Sequence, residues 1–205
     1  KLAPEALKGV AKPRPAQVKQ IAPDLYFYWN DGSSNAVFLV TEEGLLVVDT
    51  QAHPADARRL IGEIRKVTDK PIKWAVVTHP HGDHYLGNPV YKAEGATLIA
   101  QRDTRVMMQK YYKDELARRE AYLKTHKLDP GELQLILPEV TFDSRFTLYL
   151  GGRTVELIHL GPGQNPGDTL VHFPHARTLY LGGPFSRQNW SNYSFTPSVE
   201  NWIAL

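Results

Sequence analysis

The feature that most constrains this chain is the run Thr78-His79-Pro80-His81-Gly82-Asp83-His84, which follows directly on the apolar stretch Trp74-Ala75-Val76-Val77. Four side chains able to ligate a metal fall within six residues, in a chain with only eight histidines among 205 residues. A short apolar stretch of this kind reads as a buried strand. Donors that follow it immediately are gathered at one end of a sheet. His79 and His81 project alternately yet can converge on one point, while Asp83 and His84 lie on the next bend and reach a second position nearby. Gly82 permits the tight backbone path between them. Imidazole and carboxylate without thiolate suit Zn, with Fe or Mn also possible ions. The competing reading is a polar loop with hydrogen-bonded histidines, and three imidazoles so close together weigh against it.

The flanking pattern is that of an α/β protein. Leu25–Trp29 and Ala36–Val40 read as strands, and Glu43-Gly44 turns the second of these into Leu45–Val48 as a hairpin. Pro54–Val67 carries Ala57, Leu60, Ile61 and Ile64 at the spacing of an amphipathic helix. Thr97–Ala100 is a further short strand. Residues 103–127 are the longest helical stretch, with Met108, Tyr112, Leu116 and Leu123 as an apolar stripe and Arg118, Arg119, Glu120 and Lys124 expected to face away. Core packing accounts for the stripe; a lid over a cleft is the alternative. Phe146–Leu150 and Thr154–Leu160 flank Gly151-Gly152 as a second hairpin, followed by strands at Thr169–Phe173 and Thr178–Leu181. Thr196-Pro197 reads as the start of a last helix. The two hairpins form a weak internal echo, as of two similar halves facing each other.

Composition narrows the function. Cysteine is absent, which excludes disulfides, thiolate metal sites and cysteine nucleophiles. Hydrophobic residues at 42% and charged residues at 22% are ordinary for a globular chain and exclude a disordered one. No stretch approaches the run of about 18 apolar residues that a membrane-spanning helix requires. Residues 1–20 are rich in Pro and basic side chains and carry +4 of a whole-chain charge of +2. They are expected to be a leader, with the folded domain over 21–205. The remainder is therefore slightly acidic, which excludes nucleic acid as the expected partner and favours a small-molecule substrate.

On these residues the chain resembles the metallo-β-lactamase superfamily. His79-Pro80-His81-Gly82-Asp83-His84 matches its His-x-His-x-Asp-His signature at each ligand position. Val47-Val48-Asp49-Thr50 resembles its strand ending in an acidic residue near the metal floor. Gly161-Pro162-Gly163-Gln164-Asn165-Pro166-Gly167-Asp168-Thr169 resembles its Gly-x-x-His-Thr-x-Gly-Asp loop. Leu179-Tyr180-Leu181-Gly182-Gly183 resembles the strand and glycine turn before a further site position. The similarity covers roughly residues 25–205.

The resemblance implies a four-layer αβ/βα sandwich with two mixed β-sheets and a metal cleft at the sheet edges. It implies a metal-dependent hydrolase using a metal-bound hydroxide on an amide, lactam, lactone or (thio)ester. His79 and His81, with Gln164, would hold one Zn²⁺; Asp83 and His84 would hold or shape a second position; and Asp83 would orient the nucleophile and take its proton. Two positions depart from the pattern: Gln164 stands where the superfamily has a histidine, and Pro184 where many members have an Asp or Cys ligand. No C-terminal histidine matches the superfamily's last ligand, so the domain is expected to be C-terminally incomplete. The alternative implied by these departures is a catalytically weakened binding or regulatory protein of the same fold. Asp49 is expected either to support a ligand imidazole or its loop or to cap local backbone amides, His53 is a lesser candidate for such a support, and His159 is expected to be a packed strand residue.

Overall fold

Apolar residues at every position, not alternate ones, mark strands covered on both faces, and this pattern fixes the centre of the fold. The computed structural model describes residues 16–30 and 33–183. Strands β3 (Ala36–Val40) and β4 (Leu45–Val48) are almost wholly buried, as is the second half of β5 (Ile72–Val77). They lie in a seven-stranded sheet in chain order, from β1 (Gln17–Ala22) and β2 (Leu25–Trp29) through to β6 (Thr97–Gln101) and β7 (Val140–Phe142). The pairings from β1 to β4 are antiparallel and those from β4 to β7 are parallel.

Parallel neighbours need crossovers, and helices supply them. Helix α1 (Pro54–Arg65) joins β4 to β5, with His53 accepting a hydrogen bond from Ala55 N as its N-cap. The short helices α2 (Gly82–Tyr85) and α3 (Asn88–Ala93) lie between β5 and β6, and α4 (Arg102–His126) lies between β6 and β7.

A second sheet contains β8 (Arg145–Leu150), β9 (Arg153–Ile158), β10 (Leu170–Phe173) and β11 (Thr178–Tyr180), in the order β11-β10-β9-β8. Its pairings are antiparallel, so among the described residues the parallel pairs lie in the larger sheet alone. The β8–β9 connection is the Gly151-Gly152 pair, with φ of 49° at Gly151 and 75° at Gly152. These are the left-handed conformations that a two-residue hairpin turn requires.

The core lies in two main layers. Between the sheets, Leu39, Leu46, Val48, Val76 and Ile99 pack against Leu148, Val155, Leu157, Val171 and Phe173. On the outer face of the seven-stranded sheet, Phe38, Val47, Ala75 and Leu98 pack against Leu60, Ile61 and Ile64 of α1 and Tyr91 of α3. This is the expected α/β sandwich of two sheets.

Some sequence expectations shift. Residues 17–20, read as the end of a leader, are most of β1. Strand β7 and helices α2 and α3 have no separate periodic signature. Pro184, the helix at Thr196-Pro197 and the first fifteen residues lie outside the described residues.

Candidate functional site

The parallel strands β4, β5 and β6 all point their carboxyl ends at one edge of the sheet, the edge where α/β folds gather their chemistry. There the chain leaves β4 into Asp49-Thr50, leaves β5 into the histidine run, and leaves β6 into Gln101, whose side chain caps α4. The second sheet meets this edge through the loop after β9 and the turn after β11. Thr169 N donates to Thr78 O (2.9 Å), and Thr104 Oγ1 donates to Gly167 O (2.8 Å).

Asp49 is the hub. It is completely buried and holds φ at 67°. That left-handed conformation costs a non-glycine residue free energy and persists only when its surroundings fix it. Its Oδ1 accepts from Thr78 N (3.0 Å) and Thr78 Oγ1 (2.9 Å). Its Oδ2 lies 2.8 Å from His84 Nδ1 and accepts from Tyr180 OH at 3.0 Å. The acidic end of β4 thus both satisfies a backbone amide of the histidine loop and orients one of its imidazoles.

The three histidines come together. The rings of His79 and His84 lie 3.9 Å apart, and those of His79 and His81 lie 4.8 Å apart, edge to face. His79 Nδ1 is 2.9 Å from Thr78 Oγ1, which leaves Nε2 of that ring on the side of Gly183. Burial holds the His79 imidazole well below its ordinary pKa, and the neighbouring His84 and His81 add to this. Burial likewise lowers His81, to about 4. His84 goes the other way: burial opposes its charge, but Asp49 and Asp83 on either side raise it to about 10. Burial also opposes ionisation of Asp83, yet His84 and Arg119 hold it well below the usual carboxylate range.

Asp83 and His84 are spent on partners within the protein. Asp83 Oδ2 lies 3.4 Å from His84 Nε2, and Oδ1 is paired with Arg119 of α4. Its charge alone would assign Arg119 to the solvent face of that helix, although the spacing places position 119 on the same face as Leu116 and Leu123. It points instead into the loop together with Glu115, which is nearly fully buried and accepts from Gly82 N at 2.8 Å. A Cβ at position 82 would stand 2.9 Å from Glu115 Oε2 and from Leu86 Cδ1, so one or both of these side-chain ends would have to shift to admit it. Helix α4 therefore docks on the loop through a Glu–Arg pair as well as through Met108. Tyr112 and Leu116 are packed at the margin of the same cluster, so the stripe is core packing.

Gln164 is buried and stands close to His79. A Cβ built on Gly183 would lie 2.2 Å from Gln164 Oε1 and 3.0 Å from His79 Nε2. Position 183, not only 164, thus faces His79, which the sequence does not reveal. The other histidines are elsewhere in role. His53 caps α1 and reaches Asp129 O (2.9 Å), His159 Nδ1 lies 2.8 Å from Asp168 O, and His172 and His175 pair with Glu156 and Asp24.

In kind, the donors suit a divalent ion such as zinc: imidazoles, two of them kept neutral as ligation requires, with a carboxylate and an amide oxygen beside them. In arrangement Asp83 and His84 pair with each other, and among the described residues no group of three or more His, Asp or Glu side chains surrounds a single ion position.

A family model described as metallo-beta-lactamase superfamily matches residues 29–195. The chain is 27% identical over 164 residues to the linear primary-alkylsulfatase of a Pseudomonas species, covering 67% of this chain and 30% of that protein. It is 22% identical over 174 residues to the metallo-beta-lactamase type 2 of Elizabethkingia meningoseptica, covering 82% of this chain and 61% of that protein. The chain thus spans less than two thirds of the length of either relative. Among solved structures, a metallo-beta-lactamase from Pontibacter korlensis superposes with a TM-score of 0.68 at 19% identity, covering 91% of this chain and 81% of that one.

Proposed function

The chain belongs to the metallo-beta-lactamase superfamily, and from that premise we propose that it is a metal-dependent hydrolase whose ion is held by His79 and His81 with help from Gln164. The observation that carries this reading is the meeting of two neutral, buried imidazoles and the Gln164 amide at the carboxyl edge of the parallel strands. A bound zinc ion would supply an activated water and polarise a carbonyl or ester oxygen.

The protein's own groups do the rest. Thr78 Oγ1 fixes the ring of His79 with Nε2 on the side of Gly183 and Gln164. Asp49 holds the whole loop from beneath. Asp83, kept ionised by His84 and Arg119, would orient a water in the site through its fixed negative charge, its depressed pKa making it a weak proton acceptor. Small esters, lactones, lactams, amides and thioesters are the proposed substrates, and the relationship to an alkylsulfatase adds sulfate esters to the set worth assaying.

One observation favours a second reading, a binding or regulatory module with weakened catalysis: the neutral Gln164 in place of an imidazole, in a site whose charged donors already pair internally. Zinc calorimetry at about pH 7.5 with a panel of chromogenic ester, cephalosporin and alkyl sulfate substrates separates the two. The hydrolase reading expects saturable zinc binding, its loss in His79→Ala or His81→Ala, and a rise of at least about tenfold in zinc affinity in Gln164→His. Zinc binding without turnover of any substrate in either wild type or Gln164→His would favour the module. An absence of saturable zinc binding would overturn the metal site itself.

A further inference from the structure

Asp83 is the carboxylate of the histidine run, and the structure surrounds it with cationic and hydrogen-bonding groups of the protein itself. Its Oδ1 is paired with the guanidinium of Arg119, and its Oδ2 lies 3.4 Å from His84 Nε2. The other nitrogen of that imidazole is 2.8 Å from Asp49. Both oxygens of Asp83 and both nitrogens of His84 therefore already have partners.

Arg119 is held where it stands. Its side chain is mostly buried, and its Nη2 is 3.9 Å from Glu115 Oε2, the same oxygen that accepts from Gly82 N. The helix that carries it is anchored to the loop at Gly82, where a Cβ would come within 3.2 Å of Arg119 Nε. Beside His79, position 183 has no side chain and Gln164 is neutral, so neither adds an anion to attract a further cation.

We infer that the Arg119 guanidinium takes the place of a second metal ion beside Asp83, so that the protein holds one divalent cation per chain and not two. The inference rests on the proposed metal reading for His79 and His81 and goes beyond it. A guanidinium remains charged at any working pH and cannot donate a lone pair. It neutralises the carboxylate as a metal would, but it cannot activate water, and at contact distance it repels a divalent ion. Arg119 is here a positioning residue acting through Asp83.

The test is zinc stoichiometry, read by calorimetry with zinc chloride and by metal analysis after dialysis, on wild type and on variants whose folding is checked by circular dichroism. Wild type is expected to bind one equivalent. R119Q and R119A are expected to bind a second, with an affinity for that second ion at least about tenfold above any that wild type shows. R119K keeps a cation on the helix and is expected to stay at one equivalent. So is R118Q, which removes a charge from the same helix but leaves the Arg119–Asp83 pair in place. D83N provides an arm that does not depend on how Arg119 variants fold: with Asp83 committed to Arg119, it should keep the single equivalent at wild-type affinity. Two tight equivalents in wild type would overturn the inference, as would equal stoichiometry in wild type and R119Q, or loss of the single ion in D83N. A single zinc in wild type that vanishes in H79A while R119Q gains none would sink this inference alone; no zinc in any variant would sink the metal reading with it.

Discussion

Asp49 shows how much one residue can be asked to hold. Its carboxylate accepts from an amide and a hydroxyl of Thr78, from Tyr180 and from His84, with no exposure to solvent and with its own backbone in a left-handed conformation. Replacing it by Asn keeps the volume but leaves too few acceptors for those donors and uncouples His84 from a buried negative charge. Asp49→Asn is expected to lower unfolding free energy by about 3 kcal/mol, as breaking one side of a buried, hydrogen-bonded ion pair does. Urea denaturation at neutral pH measures it, and a loss below about 1 kcal/mol would mean that the hub is dispensable. The meeting of His79, His81 and His84 is legible in the sequence because three imidazoles within six residues after a strand are kept together by the chain itself. Gly183 is not, because nothing in a glycine pair tells which residue faces a histidine so distant along the chain. Only the meeting of the turn after β11 with the loop after β5 does.

The most informative element is α4. Its apolar stripe is legible from the 3.6-residue period, and Met108 and Leu123 are indeed buried. The same period places positions 115 and 119 on that face, but a reading that looks only for apolar residues assigns charged side chains to solvent. Glu115 and Arg119 are inside because each finds a partner in the loop, Gly82 N for the first and Asp83 for the second. Strand β7 escapes for a different reason: three residues carry too little pattern to separate from a loop. Docking through Gly82 gives a direct check. Gly82→Ala puts a methyl against Glu115 and Leu86, and should cost about 1–3 kcal/mol. In a Glu115→Ala background the methyl meets one obstacle fewer, so the cost should shrink. Strict additivity in that double-mutant cycle would show that the loop and α4 do not touch where the structure has them.

At the scale of the whole molecule, the two sheets are joined by polar contacts at both ends. Away from the site, Asp24 in the β1–β2 turn pairs with Arg153 of β9 and with His175. Burial opposes its ionisation, but hydrogen bonds from Arg153 and His175 lower its pKa below the usual 3.8. A depressed carboxylate contributes stability above its unfolded value and loses it as pH falls through the folded one. Asp24→Asn should therefore cost about 1 kcal/mol at neutral pH, a modest figure because Arg153 is partly exposed and screened. The difference from wild type, followed by urea denaturation across the acid range, should shrink as pH falls below the usual carboxylate value and close once the depressed folded value is passed. A gap that stays open in acid would mean the pair contributes through packing and not through charge. At the other end the sheets meet at the histidine cleft, where Thr169 of one is tied to Thr78 of the other and Gln164 stands against His79. Anything that binds there is a rivet as much as a reactant: it spans the seam between two halves of the fold, and a ligand present at about a hundred times its dissociation constant would add about 2.7 kcal/mol against their parting. The abundance of the folded protein would then follow the supply of its ligand, so that scarcity would be felt first as turnover of the protein and only afterwards as lost chemistry.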